Sequence, residues 1–399
     1  MAALIAVEEA QRRVLEHVRP LPGEPVPLDE AAGRVLAEPA KAAVDLPPFP
    51  SSAMDGFAVR TADLPGRLRV VDRVAAGRPT ARAVGEGEAI GVATGGVVPA
   101  GADAVIPIEY VVDHDNEIEV ASPVDAGENI RPRGGDVARG DVVVARGARL
   151  APAQLGALAA AGVAAPVCGR RPRVAILTTG TELRRPGEEL RAGEVYEANG
   201  LLLAAALAAL GAEVERLGSV EDDEDAHRRV LERGLEHDVL VSSGGVSVGP
   251  HDLVRKIEAE LGVEEVFWGV AVKPGKPISF GVRGGTLVFG LPGNPVSALV
   301  GCELFVRPAV LALQGAREAL PVRERGRLAA GVRRNPHRDE YLRARARAGT
   351  DGLPALEPLV GQESHMIARA ASANALVLAR RGEGELAAGS EIEYLRLAR

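Results

Sequence analysis

The sequence predicts a multidomain α/β protein, and three observations predict it. Over residues 171–313 apolar runs of strand length alternate with amphipathic or apolar helix patterns, the signature of a doubly wound parallel sheet. Over 51–146 short β-type runs alternate with Gly, Pro and Asp turns, which reads as a small all-β module. Over 317–399 strand-like runs return, separated by Gly and charge, and fit a small β-barrel or sandwich. A chain of 399 residues is long enough for several cores.

Taken in order, Val7–Val18 and Leu28–Val35 read as helices. Leu46-Pro47-Pro48-Phe49-Pro50 is a stiff connector and a domain boundary. Strands are expected at Phe57–Val59, Leu68–Val74, Ala89–Val92, Ala104–Pro107, Glu117–Val120 and Asp141–Val144. The Ala-rich helix Pro152–Ala161 is expected to pack back on the N-terminal helices, which makes the β-module an insertion. The expected division is therefore 1–46 with 147–170, then 47–146, 171–316 and 317–399. In the third part, strands Arg173–Thr178, Glu213–Leu217 and Val239–Val241 alternate with helices Asn199–Leu210, Asp225–Leu235 and Asp252–Leu261. Asn294 precedes Pro295 as an N-cap before a first-turn proline. In the last part, strands are expected at Arg327–Val332, Tyr341–Ala346, Leu353–Pro358, Ala375–Ala379 and Glu391–Leu397.

Composition narrows the function classes. A net charge of −8 and a pI near 5.6 offer no basic face for nucleic acid. The apolar run Leu201–Leu210 is too short to span a bilayer, and the N-terminus carries no signal-peptide pattern, so a cytoplasmic protein is expected. Cys168 and Cys302 have no metal-ligand spacing and read as reduced, buried thiols. No Walker loop, nucleophile elbow or Gly-x-Gly-x-x-Gly entering a helix is present. Two of only four lysines fall together in Lys273-Pro274-Gly275-Lys276-Pro277, in a chain that otherwise uses arginine.

In a parallel sheet, ligands bind beyond the carboxyl ends of the strands. The loops at Glu182, Asp222, Ser242–Asp252 and Pro292–Ser297 are expected to share that edge. The stretch Ser242-Ser243-Gly244-Gly245-Val246-Ser247 is a candidate phosphate cradle. Carboxylates at Glu182, Asp222, Asp252 and Asp223 suit Mg²⁺, which takes few carboxylates and completes its shell from substrate phosphate. The same acids are equally consistent with helix capping and a solvated loop charge. Lys273, Lys276 and the helix start at Pro295–Ser297 add positive potential for a second anion.

Together these motifs resemble the molybdopterin molybdenumtransferase family, the MoeA and gephyrin E-domain proteins. The matching stretches are Ser52-Ala53-Met54-Asp55-Gly56-Phe57, Thr94-Gly95, Gly101-Ala102-Asp103-Ala104-Val105, Asn129-Ile130-Arg131 and Gly135-Asp136. They continue through Thr179-Gly180-Thr181-Glu182, Ser242–Gly249, Lys273–Pro277 and Gly290–Ser297, in the family's order. The resemblance implies an elongated homodimer with a MogA/MoaB-like sheet domain, an inserted β-rich module and a C-terminal β-barrel. Its active site would lie between the sheet domain of one subunit and the inserted module of the other. It implies insertion of molybdate into adenylated molybdopterin, with Mg²⁺-assisted release of AMP. By motif it carries over Asp55, Thr94, Asp136, Glu182, Asp222 and Asp252 as functional positions, with Mg²⁺ on Asp222 and Asp252. The substrate contacts it implies are Ser242, Ser243, Gly244, Gly245, Ser247, Lys273, Lys276, Pro292, Pro295 and Ser297, with Arg338, Arg343 and Ser364 from the last domain. Its implied partners are a molybdopterin adenylyltransferase and cofactor-accepting molybdoenzymes, with neither nucleic acid nor membrane. A related adenylyltransferase and a non-catalytic scaffold of the same fold are the alternatives. The last domain departs most, since Asn374-Ala375-Leu376 leads to Ala379-Arg380-Arg381-Gly382 where the family usually has Pro-Glu-Gly.

Overall fold

A computed structural model describes residues 4–220, 223–245, 253–349 and 352–397. The six-stranded sheet that positions the site uses β1 (Arg173–Thr179), β2 (Glu213–Val220), β3 (Val239–Ser243), β4 (Glu264–Trp268), then, past the short β5 (Val272–Lys273), β6 (Ser279–Arg283) and β7 (Thr286–Leu291). Its order is β2-β1-β3-β7-β6-β4. The first four are mutually parallel; β6 and β4 extend the sheet antiparallel. Hairpin-length connections near β6 and β7 permit that reversal, whereas β1, β2 and β3 are separated by crossover helices.

Alternation along the strands divides the core in two. Val174, Ile176, Val239, Val241 and Phe289 point to one face, Ala175, Leu177, Leu240 and Val288 to the other. Four helices cover these faces: α1 (Val7–His17), α2 (Asn199–Ala208), α3 (Glu224–Gly234) and α4 (Leu253–Glu260), with a fifth, α5 (Pro295–Leu313), on the side of α1 and α2. Helix α5 is 19 residues long and apolar enough to cross a membrane, but most of it is buried in this core. It contains a π-helical turn, Cys302–Val306, where Gln11 of α1 donates to the Leu304 carbonyl at 3.0 Å.

Helix α1 therefore belongs to the sheet's core. Residues Val26 to Ala40 instead share a small core with Val144, Leu150, Leu158 and Cys168, and the Pro152–Ala160 helix packs there rather than on α1. The expected helix Leu28–Val35 is only a short turn, Leu28–Glu30. Gly33 takes φ +73°, and Val35 and Leu36 then bridge Arg149 and Cys168 as extended chain. The inserted module is a six-stranded sheet with apolar residues on both faces, Phe57 and Val59 on one, Ala58 on the other. The expected strand Asp141–Val144 lies outside it, because Val142–Val144 pairs with Ala40–Lys41.

The C-terminal part is a closed barrel of β8 (Arg323–Leu328), β9 (Asp339–Arg347), β10 (Ala355–Pro358), β11 (Ala375–Ala379) and β12 (Glu391–Arg396), paired in the cycle β9-β10-β8-β12-β11-β9. It is joined to the sheet part by β5, which pairs parallel with Asp339 and Glu340. A charged latch adds a second join: Glu8 on α1 meets Arg380 at 2.6 Å and Arg323 at 2.9 Å.

Burial by itself would raise the Glu8 carboxyl, but the hydrogen bonds from Arg380 and Arg323 outweigh it and hold Glu8 down at about 2. A depressed carboxylate stabilises the fold above its ordinary value of 4.5, and that contribution disappears as pH falls towards 2. Glu8→Gln should lower Tm at neutral pH, and the gap to wild type should close as pH drops below 4.5. A gap independent of pH in thermal melts would contradict the latch.

Candidate active site

Because β1, β3 and β7 are adjacent and parallel, their carboxyl ends open on one edge. A cavity of about 580 Å³ lies there. Thr178 and Thr179 at the end of β1 and Glu182 beyond it line the cavity, with Ser243 at the end of β3 and Gly293, Asn294 and Pro295 after β7. Tyr196, Glu197 and Asn199 enter from the start of α2, and His365 and Ile367 come from the barrel.

Two of these loops touch so closely that only glycine fits. Gly244 has φ +95°, and a β-carbon there would lie 2.7 Å from both the carbonyl and the hydroxyl of Thr179. Gly245 has φ +64°, and its β-carbon would meet Val254 at 2.8 Å. The glycines thus let β3 turn sharply beside the end of β1. Ser243 is 2% exposed and donates to the Pro292 carbonyl at 3.3 Å. Ser242 is fully buried on the other face of the strand, with its hydroxyl on the Phe289 carbonyl, so it is a sheet residue and not a ligand donor. Glu182 is exposed at the cavity. Asp222, Ser247 and Asp252 lie outside the described residues. Asp223 accepts from the Ala226 amide at 2.7 Å and caps α3. Asn294 stands at the N-cap position of α5, but its side chain makes no capping bond. Among the described residues no group of three His, Cys, Asp or Glu side chains is arranged to hold a metal.

The lysine loop faces a second cavity of about 460 Å³ between sheet and barrel, lined by Lys273, Arg333, Arg334, Glu340 and Gln362. Lys273 pairs with Glu340 at 2.9 Å. Lys276 is exposed and makes no ion pair among the described residues. Ser297 is 3% exposed in the first turn of α5.

The segment 361–367 separates the two cavities, with Gln362 at one and His365 at the other. Its shape depends on Arg343. That guanidinium is 1% exposed and donates to the carbonyls of Gly361, Glu363 and Met366 at 3.0 to 3.2 Å. Burial pulls its pKa down, as expected for a charge taken out of water. Arg343 therefore organises a loop instead of meeting an anion. The loop docks where the Ser364 carbonyl accepts the Val296 amide at 3.0 Å, which carries Ser364 to the start of α5. Arg338 lines neither cavity; its amide caps Asn335 Oδ1 at 2.9 Å.

Asp55, Thr94 and Asp136 sit on the inserted module, all exposed. Asp55 accepts the Thr94 amide at 2.7 Å, and that bond, followed by the Thr94 side chain, holds its carboxyl below the usual range. The Asp136 amide donates to the Leu46 carbonyl. Among the described residues, no hydrogen bond or ion pair joins 51–136 to the sheet domain of the same chain.

Sequence reasoning missed Glu197, Asn199 and His365. Asn199 carried a signal, since it is the one polar residue of the helix Asn199–Ala208. His365 carried none, because its place depends on how the barrel docks.

With this geometry in hand, comparison with known proteins is decisive. The MoeA N-terminal region (domain I and II) matches residues 5–162, a probable molybdopterin binding domain matches 175–312, and the MoeA C-terminal region (domain IV) matches 325–397. A molybdopterin molybdenumtransferase of Staphylococcus aureus (strain MRSA252) is 31% identical over 98% of this chain and 95% of its own length. The chain belongs to the MoeA family. A Haemophilus influenzae molybdopterin molybdenumtransferase is 33% identical over 98% of both chains. The crystal structure of the MoeA molybdopterin biosynthesis protein of Pyrococcus horikoshii OT3 superposes with a TM-score of 0.86 at 30% identity, covering 98% of this chain and all of that one. The relation therefore spans every part of this MoeA-family protein, inserted module and barrel included.

Arg343→Met should free the 361–367 loop. Three hydrogen bonds from a charged donor are lost, at roughly 1.5–3 kcal/mol each, so a destabilisation of about 4 kcal/mol or more is expected. Hydrogen exchange at the Val296 amide should speed up in the variant. Unchanged protection there would show that the loop docks without Arg343.

Proposed function

We propose that this protein is a molybdopterin molybdenumtransferase of molybdenum cofactor biosynthesis, transferring molybdenum from molybdate to adenylated molybdopterin with release of AMP. The observation that carries this reading is full-length relation to proteins of that name, combined with a cavity built from the family's own loops at one sheet edge. The alternatives of scaffold and adenylyltransferase have no observation in their favour.

The chemistry of the two cavities supports a division of labour. The larger one has backbone groups at Gly293–Asn294 and lies at the start of α5, which suits phosphate oxygens. The smaller one has Lys273 and Arg333, which suit a tetrahedral dianion, and the exposed Lys276 adds charge from the same loop as Lys273, while Arg334 is committed to the carbonyls of Arg380 and Arg381. Glu340 beside Lys273 holds the ammonium in place and limits how tightly an anion is kept. Of the two described carboxylates of the larger cavity, Glu197 is committed to the Gly200 amide and Arg216, and the exposed Glu182 is the candidate to order an attacking or leaving oxygen.

Mg²⁺ is proposed on Asp222 and Asp252. Both positions lie outside the described residues. The proposed division of the chain remains 1–46 with 147–170, 47–146, 171–316 and 317–399, with α1 lent to the sheet's core. A homodimer is proposed, in which Asp55, Thr94 and Asp136 of one subunit face the sheet edge of the other. Their exposure within one chain supports this. A cytoplasmic setting, an adenylyltransferase supplying the substrate and molybdoenzymes accepting the product complete the proposal.

The central test is AMP release from adenylated molybdopterin with Mg²⁺, with and without molybdate; an intact adenylate under both conditions ends the reading. Asp252→Ala should abolish release while dimers persist in sedimentation. Lys276→Ala should raise the molybdate requirement about tenfold, a loss of about 1.4 kcal/mol, and leave adenylate binding near wild type. Equal losses for both substrates would rule out a dedicated molybdate contact.

A further inference from the structure

Asn199 is 8% exposed, opens α2 and lines the larger cavity. Its Nδ2 donates to Ser243 Oγ at 2.9 Å and to the Gly293 carbonyl at 2.7 Å. A carbonyl oxygen can only accept, so the atom facing Gly293 is the amide nitrogen and the side chain's orientation is determined. Ser243, having accepted from Asn199, passes its own proton to the Pro292 carbonyl. One amide therefore ties the end of β3 to the turn after β7.

The tie fixes two peptide units. With the carbonyls of Pro292 and Gly293 held from one side, planarity turns the N–H groups of Gly293 and Asn294 the other way. Neither N–H has an acceptor among the described residues. Both residues are exposed at the cavity wall, so these N–H groups are open to water or to a ligand that enters the cavity. Both protons of Asn199 Nδ2 are committed, and Oδ1 has no donor among the described residues. We infer that Asn199 is a positioning residue: it sets the Gly293 and Asn294 amides to receive anionic oxygens of the ligand and offers Oδ1 to a ligand N–H or O–H. This rests on the reading that the cavity takes the adenylated substrate.

The test uses the full chain and three measurements: steady-state AMP release, calorimetric binding of AMP, and Tm. Asn199→Ala should lower kcat about tenfold and raise KM for the adenylated substrate about tenfold, because the amides it sets contact the ligand in the bound state as well as during reaction. AMP binding should weaken about tenfold. Asn199→Asp should fare no better, because a carboxylate cannot donate to Gly293 and repels phosphate. Ser243→Ala cuts one arm of the tie and should give a smaller loss of the same kind at near-native Tm. Wild-type kcat and AMP affinity in Asn199→Ala overturn the inference, as does a fall in Tm alone with kcat per folded molecule unchanged. If wild type binds AMP through Asn199 yet releases none from the adenylate, the tie stands and the catalytic reading falls. If wild type does not bind AMP, both fall.

Discussion

A parallel strand that ends at a sheet edge leaves peptide groups with no neighbour to pair with. Here three adjacent strands, β1, β3 and β7, end together, and the candidate site is made from the loops that leave them. The constraint is space. Thr179 and Gly244 approach so closely that a single β-carbon would collide with backbone, so the strand ends can share an edge only through glycine. The buried hydrogen bonds of Asn199 and Ser243 then fix the third loop against the second. Packing beneath the edge keeps it rigid: Phe280 and Phe289 stack with centroids 4.9 Å apart, and α1, α2 and α5 close over them.

The barrel acts on this edge through one buried cation. Among the described residues Arg343 has no carboxylate partner; it is satisfied by three carbonyls of one loop. A buried charge must be hydrogen-bonded, and here that requirement dictates the loop's path. The loop then touches both cavities and the start of α5. A residue type chosen for its charge thus serves to shape backbone, and in the lysine loop the exposed cation is Lys276, since Lys273 is paired with Glu340.

Much of this was legible in order along the chain. Strands β1, β3 and β7 are short apolar runs bounded by Gly and Pro, and period and punctuation suffice to find them. The loop at Gly244–Gly245 announced itself by composition. The turn Leu28–Glu30 did not: its apolar spacing suggested a helix, and Gly33 with the partners Arg149 and Cys168 decided otherwise. Likewise Arg343 in a β-run rich in arginine looked like one more anion contact. Its burial is a property of the closed barrel, which no local pattern records.

By itself the sequence determined the kinds of parts, their succession and the residues able to meet anions, because those follow from periodicity, turn chemistry and ordered motifs. Only the tertiary structure decided which of those residues meet. Ser242 and Ser243 are neighbours in sequence, yet alternation sends one into the sheet and the other to the cavity. Glu182, Asn199, Gly293 and His365 are far apart in sequence, yet strand order and barrel docking bring them to one wall. The physical reason is that contact across a sheet edge is set by which strands are neighbours and by what packs on them, and neither is written in any single segment.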